Sequence, residues 1–243
     1  MTILETHELV KNFGGLTAVN HVSIKIEEGE IVGLIGPNGA GKTTFLNSIA
    51  GTFKPTGGQT IFAGEDLTGA TAEKMCHRGM SRTFQIPLPF PKLTVLENVM
   101  VGAEFGVPHR SSRQALNRAK EALEFVRFPL SHDTPADHLN AVQLKRLDLA
   151  RALACGPKLL LLDELASGLT PAELEDMMSL IREIRAKGMT IIIVEHIMRV
   201  IKGICSRVYV LQYGTKIAEG TTETVLQDPV VIEAYLGKSE LGM

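Results

Sequence analysis

The chemistry starts at GPNGAGKTT, which opens at Gly36 directly after the apolar run EIVGLI and leads into KTTFLNSIAG. It fits the pattern G-x-x-x-x-G-K-[ST] on Gly36, Gly41, Lys42 and Thr43. The glycines let successive backbone N–H groups curl round phosphate oxygens without a Cβ in the way. A helix N-terminus adds partial positive charge, Lys42 reaches terminal phosphates, and the Thr43 hydroxyl is a hard ligand for Mg²⁺. Pro37, Asn38, Gly39, Ala40 and Thr44 complete the loop and count as ligand-binding positions with them.

A second stretch, KLLLLDELASGL, delivers two acids at the end of an apolar run. Ligands of open α/β sheets bind at the carboxyl ends of strands, so Asp163 is placed to hold Mg²⁺, directly or through water. Glu164, one residue on, is placed to polarise an attacking water. The run TIIIVEH ends at His196. A lone histidine is more often structural than catalytic, but a strand terminus at the same sheet edge as Asp163 points to a γ-phosphate contact.

These groups need a scaffold. Continuous apolar runs (EIVGLIG, KLLLLD, TIIIVE) separated by helical patterns indicate a parallel sheet covered on both faces. RVYVL and TKIAEG around Tyr213-Gly214 read as an antiparallel hairpin at its edge. ILETHELV, NHVSIKI and GQTIFAG alternate, which suggests a small antiparallel sheet near the N-terminus. Strand signals vanish over about 92–152, where helical patterns with basic faces predict an inserted helical subdomain. The α/β core would then comprise 1–91 and 153–243 of one domain. Pro87, Pro89 and Pro91 stiffen its entrance. The helix over 171–187 is well marked. Thr170 and Glu173 make a capping box, Pro171 takes the first position, Leu174, Met177, Ile181 and Ile184 share a face, and Gly188 stops it.

Composition narrows the function classes. The 243 residues are 44% hydrophobic, enough for a packed core. A net charge of −2 gives no nucleic-acid footprint, so no nucleic-acid partner is expected. Three scattered cysteines, without a CxxC, read as reduced thiols in a cytosol-like compartment. MTILETHELV carries charges where a signal peptide needs an apolar run, and LLLL or IIIV falls far short of the ~18 residues of a membrane span. The expectation is a soluble chain whose membrane role comes through a partner.

Together these residues resemble an ABC-type ATPase, the nucleotide-binding subunit of ABC transporters. GPNGAGKTT is similar to that family's Walker A, LLLLDE to its Walker B, Gln85 in RTFQIP to its Q-loop glutamine and His196 to its switch histidine. More narrowly, FGGLTAV, SRTFQ, FPKLTVLENVMVG and the closing VIEAYLG resemble ATP-binding subunits of branched-chain amino acid importers. The resemblance implies a RecA-like P-loop NTPase fold and hydrolysis of ATP with Mg²⁺. Glu164, His196 and Gln85 become the catalytic set, and Thr43, Asp163 and Gln85 the metal set. Phe13 would stack on adenine, with a core position near the small sheet as the alternative. The implied partners are transmembrane permease subunits, a second ATPase subunit arranged head to tail and, indirectly, a substrate-binding protein. The implied place is the cytoplasmic face of the membrane, as a peripheral protein. A lipid or urea/amide transporter ATPase and a non-transport nucleotide-dependent switch stay open as alternatives.

The family's signature, Leu-Ser-Gly-Gly-Gln, is altered. The aligned residues are Leu139, Asn140, Ala141, Val142 and Gln143. Asn140 caps a helix, Asn140 with Gln143 imitates a capping box, and both count as nucleotide-binding positions toward a partner's ATP. Val142 puts a β-branched side chain where the family brings bare backbone. Leu165 replaces the proline after Glu164, and Thr170 the D-loop aspartate. One reading keeps a working signature with altered geometry. The other makes this chain the weak-signature member of a heterodimer, the arrangement favoured here.

Overall fold

The computed structural model describes residues 1–106, 108 and 110–236. Gly237 of the VIEAYLG stretch and everything after it lie outside these residues. In chain order the elements are β1 (Thr2–Phe13), β2 (Leu16–Glu27), β3 (Ile31–Ile35), α1 (Lys42–Ile49), β4 (Gly57–Phe62), β5 (Glu65–Asp66), α2 (Ala72–His77) and β6 (Met80–Arg82). Then come α3 (Val95–Phe105), α4 (Ser112–Phe125), α5 (Ala141–Ala154), β7 (Leu159–Asp163), α6 (Pro171–Ala186) and β8 (Thr190–Val194). The chain closes with α7 (Met198–Ile204), β9 (Arg207–Gln212), β10 (Thr215–Thr221), α8 (Thr222–Val225) and α9 (Pro229–Leu236).

The larger sheet has the order β10-β9-β3-β8-β7-β6, parallel except for the edge strand β10. Every residue of β3, β7 and β8 is buried, which is why these strands read as unbroken apolar runs. Alternate side chains feed two cores. Leu160, Leu162, Ile191 and Ile193 join one that includes α3–α6, while Leu159, Leu161, Ile192 and Val194 join another that includes α1 and the N-terminal sheet. At the β9–β10 turn Tyr213 and Gly214 have φ of 48° and 78°, the pair of positive angles that matches strand twist in a two-residue hairpin. The N-terminal sheet is antiparallel in the order β2-β1-β4-β5.

Helices α3, α4 and α5 pack on one another, each opened by a reciprocal capping box: Thr94 with Glu97, Ser111 with Gln114, Asn140 with Gln143. Buried Ala115, Ala119 and Ala122 let α4 sit close. Gly102 of α3 lies so near α5 that a Cβ there would fall 2.5 Å from the Arg151 carbonyl oxygen. α5 runs to Ala154, two residues past the expected end of the helical segment. Its last turn buries Ala152, Leu153 and Ala154 and so cannot be told by pattern from the strand that follows. Among the described residues no helix is long and apolar enough to cross a membrane.

Candidate functional site

The phosphate loop is built where β3 gives way to α1. Gly41 precedes the helix at φ 97°, and a Cβ on it would stand 2.3 Å from the Ala18 carbonyl oxygen, so only glycine fits. No side chain caps α1 and no acid occupies its first turn, which leaves a helix N-terminus with donors and partial positive charge. The β9–β10 turn braces the loop, because the Gly214 N–H donates to the Ala40 carbonyl at 3.0 Å. Loop residues Asn38 to Thr44 line a cavity of about 440 Å³ with Leu16, Ala18, Tyr213 and Glu164.

Lys42 is buried, and its ammonium donates to the carbonyls of Gly36 (2.7 Å) and Pro37 (3.0 Å). Burial lowers its pKa, and the negative charges of Glu164 and Asp163 oppose that shift. The sheet order brings the acids to it. β8 lies between β3 and β7, so the C-terminal ends of these strands stand side by side.

Asp163 is 1% exposed, and neither carboxylate oxygen has a hydrogen-bond partner. Its nearest charge is Arg82, whose Nη2 is 3.5 Å from Oδ2, an ionic contact rather than a hydrogen bond. Burial, the dominant cause, raises the Asp163 pKa, and Arg82 opposes it. A hard cation answers two buried, unpartnered carboxylate oxygens well, so the residues present fit Mg²⁺.

Glu164 adopts a left-handed backbone, φ 50°, unusual for a residue with a side chain. Its N–H still donates to the Val194 carbonyl at 2.9 Å, extending the β7–β8 ladder by one bond. The kink turns its side chain to the cavity. Oε2 accepts from Gln85 Nε2 at 2.7 Å, and Oε1 lies 4.0 Å from His196 Nδ1. Gln85 is thus held by Glu164 rather than by Asp163. His196 is half exposed, two residues beyond β8.

Two sequence-derived positions lie apart. Phe13, 42% exposed, packs edge-on against Phe53 with centroids 5.3 Å apart, and Lys11 Nζ sits 4.9 Å from its ring. It does not line the cavity, although Leu16, three residues on, does. Asn140 and Gln143 satisfy each other: the Gln143 N–H donates to Asn140 Oδ1 (3.0 Å) and the Asn140 N–H to Gln143 Oε1 (2.9 Å). Leu165 is buried at 4%, so core packing accounts for an apolar side chain there.

Four neighbours escaped the sequence reading. Arg82 joins Asp163 to Asn47 Oδ1. Asp148, buried, accepts the Phe84 N–H at 2.8 Å and so pins the segment before Gln85 to α5. Lys145 and Glu195 hold the loop after Asp163. Only Asp148, a charge among α5's apolar residues, left a trace in the pattern.

Comparison with known proteins decides the family. The family described as ABC transporter matches residues 19–167. The chain belongs to the ABC transporter family, as an ATP-binding cassette that hydrolyses ATP. A second family, described as branched-chain amino acid ATP-binding cassette transporter, matches residues 215–240. The cassette is 38% identical over 251 residues to the high-affinity branched-chain amino acid transport ATP-binding protein BraF of Pseudomonas aeruginosa, covering 98% of each chain. It is 37% identical to a probable branched-chain amino acid transport ATP-binding protein of Archaeoglobus fulgidus, covering 99% of this chain and 97% of that one. Among solved structures, a nucleotide-free ATP-binding cassette from an ABC transporter superposes with a TM-score of 0.88 at 34% identity, covering 98% of this chain and all of that one. A dimeric cassette in a post-hydrolysis state bound to ADP and phosphate superposes with a TM-score of 0.82 at 27% identity, covering 90% and 99%. Cassettes of this family form dimers and work with transmembrane permeases.

Proposed function

We propose that this cassette energises uptake of branched-chain or related amino acids, docked as a peripheral subunit on the cytoplasmic face of a permease. One observation carries the ATP site: Lys42 and Glu164 line one cavity, Gln85 donates to Glu164, His196 Nδ1 lies 4.0 Å from its carboxylate, and Asp163 stands near enough to act on the charge of Lys42. In this reading the loop amides and Lys42 hold the triphosphate. Glu164 takes the proton of the attacking water, Gln85 orients that carboxylate, and His196 donates to the γ-phosphate. Thr43 and Asp163, with Gln85, would hold Mg²⁺, which supplies charge neutralisation along the phosphates. Phe13 would stack on adenine. Phe13→Ala is then expected to weaken ATP affinity about fivefold or more, since stacking on a base contributes about 1–3 kcal/mol. Calorimetry with Mg-ATP reads it, and an unchanged affinity removes Phe13 from the site.

The signature end supports the heterodimer reading. Val142 occupies the first turn of α5 as a half-buried side chain, and Asn140 and Gln143 are engaged with each other. The chain alone is expected to bind Mg-ATP but turn it over slowly, its own Walker residues waiting for a partner's better signature. Val142→Gly is expected to raise homodimer turnover several-fold, at a cost of about 1 kcal/mol or less in helix propensity. Fast wild-type turnover with no gain in the variant favours a signature that already works.

Docking rests on exposed apolar side chains. Ile86, Leu88 and Phe105 are 74%, 69% and 70% exposed, and Phe84 and Phe90 are nearly half exposed. Phe84 lines a groove with Thr52, Val101 and Arg151, and Arg151 in turn lies over the Phe90 ring and donates to the Leu88 carbonyl. An apolar cluster of this kind marks an interaction surface, and a permease helix suits it. Ile86→Asp with Leu88→Asp should abolish copurification with the co-expressed permease subunits while ATP binding persists. Copurification of nucleic acid instead would point to the non-transport alternative.

A further inference from the structure

We infer that Lys145 and Glu195 are positioning residues that grip the loop after Asp163 from opposite sides and so set the aim of Glu164. This inference rests on Glu164 being the general base.

The loop from Glu164 to Ser167 has little regular structure of its own, and it begins on a left-handed residue. Such a conformation persists only where the surroundings over-determine it. Lys145, one turn into α5, supplies one side. Its ammonium donates to the carbonyls of Glu164 (3.3 Å), Leu165 (2.8 Å) and Ser167 (2.5 Å), which uses all three of its protons. Glu195 supplies the other. It is fully buried at the end of β8, immediately before His196, and its Oε1 accepts the Ala166 N–H at 2.7 Å. Three of the loop's carbonyls therefore face an ammonium, and its Ala166 amide faces the Glu195 carboxyl group. The two side chains meet the loop from either side without a direct ion pair, so the loop backbone is what joins them.

The anchors lie on different elements, and this separates positioning from ordinary packing. Lys145 shares a stripe of α5 with Asp148 and Arg151, at spacings of three. Asp148 holds the Phe84 N–H, and Arg151 Nη1 donates to the Leu88 carbonyl at 2.8 Å. One helix thus grips both the segment carrying Gln85 and the loop carrying Glu164, whose side chains hydrogen-bond each other. A shift of α5 moves both. Glu195, next to His196, ties the same loop to the C-terminal end of β8. A displacement of about 1 Å at a catalytic group can cost about 10²-fold, so loss of either grip should show in turnover.

The test is steady-state hydrolysis and Mg-ATP calorimetry on the full chain, with Glu164→Gln as reference. Lys145→Met is expected to lower kcat about tenfold or more with ATP affinity within about threefold, and Lys145→Arg, which restores several donors, to recover most of the loss. Glu195→Met should behave like Lys145→Met, whereas Glu195→Gln keeps the acceptor for the Ala166 N–H and should recover most of the activity. A role in stability alone would lower the folded fraction and so the apparent number of ATP sites, and would leave kcat per bound site unmoved. That result overturns the proposal, as does wild-type kcat in Lys145→Met and Glu195→Met. If Lys145→Met fails to fold, the Glu195 pair decides by itself. A Glu164→Gln variant that keeps its activity overturns the reading beneath and this inference with it. A dead Glu164→Gln beside unaffected Lys145 and Glu195 variants overturns this inference only.

Discussion

Glu164→Gln is expected to lower turnover of Mg-ATP by about 10²-fold or more, with ATP affinity kept or increased. The substitution keeps the size of the side chain and removes its capacity to take a proton. In the structure Oε2 holds Gln85 Nε2 at 2.7 Å and Oε1 faces His196 Nδ1 at 4.0 Å, so the carboxylate is the hub to which both other candidate catalytic side chains refer. A glutamine there can still accept from Gln85 through its carbonyl, so the arrangement survives while the chemistry does not. Affinity moves the other way because one negative charge beside a triphosphate is gone. Phosphate release at saturating ATP, with calorimetry on the same sample, reads both halves. Wild-type turnover would remove Glu164 from the chemistry and leave water activation to another group. Turnover and affinity falling together would mean a damaged loop rather than a missing base.

The contrast between Glu164 and its supports shows what a single sequence can disclose. The gathering of Lys42, Asp163 and Glu164 was legible because the loop pattern and the acids at the strand end follow from residue types at fixed spacing. β3, β7 and β8 were legible because burial on both faces leaves an unbroken apolar run. α6 was legible because Thr170 and Glu173 satisfy its first amides by a purely local bond pattern. Lys145 and Glu195 obey no local rule. Each looks like a charge on a helix or a strand end, and its contact with the loop is long-range: Lys145 lies 22 residues from Ser167 and Glu195 lies 29 from Ala166. β6, of three residues, and α2, of six, are too short to show a period. Arg82 beside Asp163 is the same case: a basic residue in a short stretch whose partner lies on the neighbouring strand.

Lys42→Ala is expected to weaken Mg-ATP binding at least about 10²-fold and to make turnover undetectable. Lys42 is 7% exposed, and its ammonium donates to two carbonyls of its own loop, Gly36 and Pro37. A phosphate arriving at the loop exchanges these neutral acceptors for charged ones, and a hydrogen bond to a charged group contributes about 1.5–3 kcal/mol. Two such bonds give about 3–6 kcal/mol, which is about 10²- to 10⁴-fold in affinity. Lys42→Arg is not expected to rescue. The guanidinium is a broad planar fork, and the space under the loop admits a point charge between two carbonyls. Burial lowers the Lys42 pKa, and the charges of Glu164 and Asp163 oppose that shift. The cation and the two acids are therefore interdependent. Removing Lys42 leaves the two carboxylates facing the phosphates without a fixed counter-charge, so the effect exceeds the loss of two hydrogen bonds. Calorimetry of Lys42→Ala against wild type at equal Mg²⁺ measures it. Affinity preserved within about threefold would place the terminal phosphates elsewhere than on this loop.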